Sequence, residues 1–161
     1  MTAAEYNKCV DLFADGVYRF ILKNLKDEEN ARDIVQDAFT KMWEKVRDIS
    51  FEKSKSYLFT AAYHTMIDFI RKQRPKEAID NLANMNVSEN AGYSDLKEIL
   101  NEAVDRLPDI QRSVLLLRDY EGYSYEEIGQ ITGLNESQVK VYIYRARIYM
   151  KNYLVSIDKV I

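Results

Sequence analysis

The sequence predicts an all-α protein made of two small helical domains joined by a flexible linker. In successive segments the apolar residues recur at spacings of three and four, which is typical of amphipathic helices. No segment shows apolar and polar residues alternating with period two over the length of a strand, so no sheet is expected. An asparagine-rich stretch at 76–94 lacks periodicity and separates the helical parts, and 161 residues suffice for two small domains.

Three helices are predicted in the first domain, residues 1–75. The first rests on an apolar stripe of Tyr6, Val10, Phe13, Val17 and Phe20. The second follows Asp27, a suitable N-cap, and its apolar residues run from Ala31 to Val46. A loop at 48–56 leads to a third helix from about Tyr57 to Lys72. Pro75 is expected to end that helix, because proline cannot continue the helical hydrogen bonds.

The second domain, residues 95–161, is predicted to begin with two further helices. One runs from Leu96 to Leu107 and is stopped by Pro108. Asp109 is expected to cap the next, whose apolar side extends to Leu117.

The stretch from Ser124 to Lys151 predicts two more helices joined by a tight turn. Ser124 with Glu127, and Asn135 with Gln138, have the spacing of capping boxes that open the two helices. Gly133 stands where a left-handed residue would end the first helix. Gly129 would leave room for a second helix to cross close by. Val139, Ile143, Ala146 and Met150 form one apolar stripe on the second helix.

This layout is typical of a helix-turn-helix, whose second helix enters the major groove of DNA. Its outward-facing cations suit a phosphate-lined groove, because no acid lies between Gln138 and Lys151. An ordinary helical hairpin with a solvated basic face is the alternative. The net charge of −3 is not typical of a nucleic-acid-binding protein, but basic residues cluster locally at Arg71–Lys76 and after Asn135.

Several classes of protein fit the sequence poorly. A single histidine, a single cysteine and no glycine-rich phosphate loop argue against an enzyme, a bound cofactor, a metal site or a small-molecule substrate. Cys9 cannot form an internal disulfide and is expected to pack as a small side chain on the first helix. No signal peptide or membrane span is recognisable, so a cytoplasmic protein is expected.

Four motifs in order resemble those of bacterial RNA polymerase sigma factors of the extracytoplasmic-function type, in the sigma-70 family. DIVQDAFTKMW (Asp33–Trp43) is similar to the family's core-binding helix, and YLFTAAYHTMIDFIRK (Tyr57–Lys72) to its promoter-melting helix. LPDIQRSVLLLRDYEGYSYEEIGQITGL (Leu107–Leu134) resembles its most recognisable run, and RAR (Arg145–Arg147) ends its recognition helix. The resemblance implies a region 2 bundle at 1–75 and a region 4 helix-turn-helix at 95–161.

The resemblance also implies partners and a function. The chain would bind core RNA polymerase and promoter DNA, direct promoter recognition, DNA melting and transcription initiation, and be held inactive by an anti-sigma factor. The residues expected to bind core polymerase are Asp33, Gln36, Asp37 and Lys41, while Phe39 and Trp43 would hold their helix against its own domain. The residues expected at the −10 element are Ser56, Tyr57, Thr60, Tyr63, His64, Arg71, Lys72 and Arg74. Those expected at the −35 element are Ser137, Gln138, Lys140, Val141, Arg145 and Arg147.

The sequence departs from the family pattern at its DNA-reading positions. The family usually has tryptophan where Tyr57 stands, asparagine where His64 stands and a serine-arginine pair where Val141–Tyr142 stands. The promoter sequence read here is therefore expected to differ from better-known ones. A stand-alone helix-turn-helix regulator that never joins polymerase is the main alternative function, and an all-helical adaptor with no nucleic-acid partner is another.

Overall fold

The protein is all-α, as predicted. The computed structural model describes the backbone of residues 1–83 and 96–160 and the side chains of residues 1–73 and 96–157. Its helices are α1 (Ala3–Leu25), α2 (Glu28–Glu44), α3 (Ser54–Ala83), α4 (Leu96–Asp105), α5 (Asp109–Leu115), α6 (Tyr125–Thr132) and α7 (Glu136–Val160). A 3-10 turn at Phe51–Lys53 precedes α3, and a π-helical turn at Leu116–Tyr120 continues α5.

Helices α1, α2 and α3 pack into a bundle that forms the first domain. Its fully buried side chains include Val17 and Ile21 of α1, Met42 of α2 and Leu58 of α3. Cys9 is also buried, as predicted for a small packed side chain. The predicted stripe on α1 is wrong at Val10, which is partly exposed, because the buried face of α1 is rotated by about one residue toward Cys9.

The two ends of α2 are fixed by polar contacts. Asp27 caps the helix as predicted, since its carboxylate accepts a hydrogen bond from the Asn30 backbone N–H at 3.1 Å. Beyond α2, the N-terminal ammonium of Met1 donates to the carbonyls of Val46 at 2.9 Å and Ile49 at 3.0 Å. These two bonds hold the loop before α3 against the start of α1.

The predicted limits of the third helix are wrong at both ends. It begins at Ser54, three residues early, and continues through Pro75 to Ala83. Pro75 lacks an N–H, so the Arg71 carbonyl loses its helical partner, yet proline weakens a helix without always ending it. The segment 76–83 is rich in strong helix formers. The first part of the predicted linker 76–94 is therefore helical, and its remainder, 84–94, lies outside the described residues.

The second domain is built from α4, α5, α6 and α7, with α5 and α4 both packed on α7. Leu107 and Val114 are buried among these helices as predicted. Asp109 is not the cap that the sequence suggested, because Pro108 occupies the N-cap position and makes no side-chain bond there. The Asp109 carboxylate instead accepts a hydrogen bond from Arg112 Nη1 at 3.1 Å, one turn further along α5.

Arg112 joins α4 to α5 from a buried position. Its Nε donates to the Val104 carbonyl at 3.0 Å, and its Nη2 donates to the carbonyls of Asp105 at 2.9 Å and Leu107 at 2.6 Å. These carbonyls lie at or just beyond the end of α4, and among them only that of Val104 also accepts a backbone N–H, from Leu107 at 3.1 Å. One guanidinium therefore satisfies the end of α4 and fixes its angle to α5.

The two domains also contact each other. Helix α3 packs on α6, and α1 packs on α5. Two hydrogen bonds join the domains at a second place. Lys23 Nζ donates to Asn101 Oδ1 at 2.7 Å, and the Ser113 hydroxyl donates to Asn24 Oδ1 at 3.1 Å. The buried apolar residues of both domains consequently form one continuous cluster.

Replacing Arg112 by alanine is expected to destabilise the second domain. The change removes three hydrogen bonds and leaves the Leu107 carbonyl without a donor, which should cost about 3 kcal/mol. The carbonyls of Val104 and Asp105 keep their bonds from the Leu107 N–H and the Lys26 ammonium. Urea unfolding followed by circular dichroism measures this loss. Arg145→Ala is the matched control, since it removes the same charge from an exposed site, and equal midpoints for the two variants would contradict the prediction.

Candidate nucleic-acid and polymerase interfaces

Helices α6 and α7 form the predicted helix-turn-helix, and both begin in the predicted capping boxes. Ser124 Oγ accepts from the Glu127 N–H at 3.1 Å, and Glu127 Oε1 accepts from the Ser124 N–H at 3.0 Å. Asn135 Oδ1 accepts from the Gln138 N–H at 2.8 Å, and Gln138 Oε1 accepts from the Asn135 N–H at 3.0 Å. The start of α7 is thus held by its own side chains.

Two glycines shape the turn between these helices. Gly133 has a φ of 81° and ends α6 in the left-handed region, as predicted. A Cβ on Gly129 would lie 2.7 Å from the Leu134 carbonyl oxygen. The space at Gly129 is therefore used by the backbone of the turn rather than by a crossing helix.

The outward face of α7 carries the residues predicted for the −35 element. All six are exposed, and they are Ser137, Gln138, Lys140, Val141, Arg145 and Arg147. Val139, Ile143 and Ala146 are buried on the opposite face. The predicted division of α7 into an inward apolar stripe and an outward polar face is confirmed, although the capping box already engages the Gln138 side chain.

The three cations on this face differ in their surroundings. Lys140 Nζ lies 3.4 Å from Glu136 Oε1, with both side chains more than half exposed. Arg147 Nη2 lies 2.7 Å from Asp119 Oδ1, and this hydrogen bond raises the pKa of Arg147. Arg145 makes no ion pair or hydrogen bond within the described part of the chain. Among the three, Arg145 therefore has the charge most available to a ligand.

Sequence reasoning missed two residues on the same face. Tyr144 is 67% exposed and Ile148 is 41% exposed, and with Val141 they form an apolar row at spacings of three and four. The helical period that identified the buried stripe also places these residues off it. Their exposure could thus have been predicted, and a tyrosine next to Arg145 provides a ring for contact with bases.

Helix α2 carries the residues predicted to bind core polymerase. Asp33, Gln36 and Lys41 are exposed and Asp37 is half-buried. Lys41 Nζ lies 3.0 Å from Asp37 Oδ2, and the Thr65 hydroxyl of α3 donates to the same oxygen at 3.3 Å. Asp37 therefore already has partners within the domain, whereas Asp33 and Gln36 project from α2.

The aromatic residues of α2 do not both face inward. Phe39 is buried, as predicted, but Trp43 is 50% exposed, and the prediction that it holds α2 against its own domain is wrong in part. One edge of the Trp43 ring packs on Tyr6, with ring centroids 4.9 Å apart. The other part of this large ring lies at the surface, close to the row of Asp33 and Gln36 along α2.

The residues predicted for the −10 element lie along α3 but are not equally accessible. Tyr57 and Thr60 are half-buried, and Arg71 and Lys72 are exposed. The side chain of Arg74 lies outside those described. Ser56 is half-buried at the start of the same face.

Tyr63 and His64 of α3 face the second domain. Tyr63 is buried, and burial raises the pKa of its hydroxyl. His64 Nε2 lies 3.1 Å from the carbonyl oxygen of Ile131 in α6 and donates to it. The Tyr63 ring is therefore not free to stack on a base in this arrangement, whereas His64 is exposed despite its bond to Ile131.

A group of residues missed by sequence reasoning joins α3 to the turn before α6. Lys55 Nζ donates to the Glu121 carbonyl at 3.3 Å and lies 3.8 Å from its carboxylate. The same ammonium sits 5.0 Å from the centre of the Tyr123 ring. Phe59 meets Tyr123 edge-on at 5.7 Å. We call these contacts, together with the bond between His64 and Ile131, the seam.

The carboxylate of Glu121 is only 15% exposed within the seam. Burial raises the pKa of Glu121, and the nearby Lys55 and Arg19 oppose that shift. The carboxylate therefore depends on Lys55 for charge compensation.

The described ranges contain no candidate metal site and no candidate membrane span. No group of three or more histidine, cysteine, aspartate or glutamate residues there could hold a metal ion. Nor does any helix within residues 1–83 or 96–160 have the length and apolar character that crossing a membrane requires.

Comparison with known proteins identifies both domains. Residues 9–76 match Sigma-70 region 2, and residues 97–150 match Sigma-70 region 4. RNA polymerase sigma factor SigV of Bacillus subtilis is 31% identical, over 93% of this chain and 91% of its own. ECF RNA polymerase sigma factor SigM of the same organism is 29% identical, over 87% and 89%.

A solved structure agrees with these relatives. It is the sigma factor RpoE of Bartonella quintana, solved in complex with the anti-sigma factor NepR. The two chains superpose with a TM-score of 0.73 and are 25% identical in sequence. The match covers 92% of this chain and 96% of RpoE. A stand-alone regulator would not account for region 2. The chain belongs to the sigma-70 family and is a sigma factor of the extracytoplasmic-function type, which directs transcription initiation by RNA polymerase.

Proposed function

We propose that this sigma factor acts through three surfaces, one for core polymerase on α2, one for the −10 element on α3 and one for the −35 element on α7. The observation that carries the proposal is that polar and aromatic side chains project from these helices where region 2 and region 4 are matched. The domain limits in this proposal are residues 1–75 and 95–161.

The polymerase surface consists of Asp33, Gln36, Asp37, Lys41 and Trp43. Asp33 and Gln36 are free to meet a partner, and half of the Trp43 ring is exposed beside them. A large aromatic ring with charged neighbours is a common composition for the centre of a protein interface. Asp37 and Lys41 are already paired, so they contribute chiefly by fixing the surface.

The −35 surface consists of Ser137, Gln138, Lys140, Val141, Arg145 and Arg147, to which we add Tyr144. Arg145 is suited to a guanine or a phosphate, because its guanidinium has no partner among the described residues. Val141 and Tyr144 supply apolar contact to base edges, such as the methyl group of thymine.

The −10 surface consists of Ser56, Tyr57, Thr60, Tyr63, His64, Arg71, Lys72 and Arg74. A base taken out of the duplex costs a few kcal/mol, which aromatic stacking can offset. Tyr57, Tyr63 and His64 would provide such rings, and exposed Arg71 and Lys72 would hold the backbone of the DNA.

We infer three further properties from the family. The chain has no enzymatic activity of its own and acts in the cytoplasm, where core polymerase is found. An anti-sigma factor holds it inactive, by analogy with the complex of RpoE and NepR. No cofactor or small-molecule substrate is needed.

Run-off transcription tests the function as a whole. Sigma-free bacterial core polymerase is incubated with a genomic DNA pool, with and without this protein. We expect discrete new start sites that require the protein, and their alignment gives the promoter motif. Stable complex formation with core but no new start would contradict promoter recognition, and no complex would contradict the polymerase surface.

Arg145→Ala is expected to weaken binding of the holoenzyme to a promoter mapped in this way. The loss of a guanine or phosphate contact should lower affinity by about tenfold. A panel of promoter variants separates the two contacts. Equal loss on all sequences identifies a phosphate contact, and loss at one position identifies base readout.

The matched comparison is Arg147→Ala, which removes the same charge two residues away. Because Arg147 is paired with Asp119, its removal should cost less binding than that of Arg145. A larger effect at Arg147 than at Arg145 would contradict the assignment.

Asp33→Lys and Trp43→Ala are expected to weaken the complex with core polymerase. Charge reversal at a rim position should reduce affinity about threefold to tenfold, and loss of a central tryptophan by about thirtyfold. Titration of labelled protein against core measures both. Asp11→Lys, an exposed charge reversal on α1, is the control, and normal affinity of both α2 variants would remove them from the interface.

A further inference from the structure

We propose that a crevice between α1 and the second domain binds a small phosphorylated molecule of nucleotide chemistry. The crevice has a volume of about 310 Å³, which lies within the range of small-molecule sites and suits a mononucleotide. None of the described residues that line it belongs to the three surfaces proposed for polymerase and DNA. The site is therefore additional to the proposed function and does not rest on it.

Cations line the crevice from both domains. Arg19 and Lys23 lie four residues apart on α1, a spacing that places two side chains on the same side of a helix. Lys97 and Asn101 have the same spacing on α4 and line the crevice from the second domain. Three of the lining side chains are thus cationic, a composition that suits an anionic ligand.

The two cations of α1 keep donors for a ligand. Arg19 is exposed and makes no hydrogen bond or ion pair within the described part of the chain. Lys23 is half-buried, and its Nζ donates to Asn101 Oδ1 at 2.7 Å. Because a lysine ammonium has three protons, that bond fixes its position and leaves protons to donate to a phosphate.

The acid of the crevice, Glu121, is already compensated. Its carboxylate is only 15% exposed and lies 3.8 Å from Lys55, which is not itself a lining residue. Three lining cations against this one lining acid leave an excess of positive charge. A phosphate monoester carries about two negative charges at pH 7, so it would neutralise this excess.

Apolar and aromatic residues form the rest of the lining. Phe20 and Leu116 are buried, whereas Tyr120 is 59% exposed at the edge of the crevice. Within residues 1–73 and 96–157 no aromatic ring or cation packs on Tyr120. Such a ring can stack on the flat base of a nucleotide, because every base presents an aromatic face. Cations beside an open aromatic ring favour a nucleotide over an inorganic anion.

Isothermal titration calorimetry of the free full-length chain tests the site. The probes are AMP and GMP, and inorganic phosphate and adenosine separate the contributions of phosphate and base. We expect AMP or GMP to bind one to one, and inorganic phosphate and adenosine to bind at least about tenfold more weakly. Polymerase and DNA are absent, so the outcome is independent of the proposed function.

Variants locate the binding. Arg19→Ala and Lys23→Ala are each expected to lower nucleotide affinity about tenfold, because each removes a charge-assisted bond to phosphate. Tyr120→Ala should lower nucleotide affinity by a similar factor and leave the weak binding of inorganic phosphate unchanged. Tyr120→Phe keeps the ring and should bind as wild type does. Lys8→Ala, which removes an exposed cation near the other end of α1, is the matched control and should not change affinity.

Three outcomes would overturn the proposal. The first is no saturable binding of AMP or GMP at millimolar concentration. The second is an equal loss of affinity in Lys8→Ala and Arg19→Ala, which would indicate general attraction of anions to the chain. The third is equal affinity for nucleotide and inorganic phosphate, or full nucleotide affinity in Tyr120→Ala. Lys23→Ala also removes the bond to Asn101, so circular dichroism checks its fold, and Arg19→Ala carries the test if that variant unfolds.

Discussion

The arrangement of the whole molecule depends on the sharing of one helix, α3, by two domains. Its residues Leu58, Ala62 and Met66 are buried in the first-domain bundle. Phe59, adjacent to that row, meets Phe20 of α1 at 5.6 Å and Tyr123 of the second domain at 5.7 Å. A buried aromatic ring contributes several kcal/mol, and here the contribution is divided between a permanent bundle and a contact between domains. Separating the domains would expose part of this ring and leave the bundle intact.

The features that sequence predicted best are those whose causes lie within a few residues. The capping boxes at Ser124 and Asn135 and the left-handed Gly133 are decided by local backbone geometry, and each was found as predicted. The inward stripe of α7 was equally predictable, because one helical period places Val139, Ile143 and Ala146 on one side. The region 2 and region 4 assignments followed from motifs that contain these same features.

The features that sequence missed depend on what packs against them. No residue near Tyr63 in the sequence indicates that a second domain buries its side chain. Composition alone favours Trp43 as a core residue, although half of its side chain is exposed. Pro75 was expected to end α3, but the propensity of the residues after it outweighs one missing hydrogen bond. A pattern within α3 describes that helix alone and not the domain that packs against it.

The electrostatics of α7 explain how a chain with net charge −3 can bind DNA. Acidic residues lie beside the cations of the recognition helix, at Glu136 and Asp119, and pair with Lys140 and Arg147. Exposed pairs of this kind contribute about 0–1 kcal/mol, so phosphates can replace the carboxylates at little cost. In the proposed −35 surface, Arg145 has no such partner among the described residues and is therefore the cation that could meet DNA without first leaving a carboxylate.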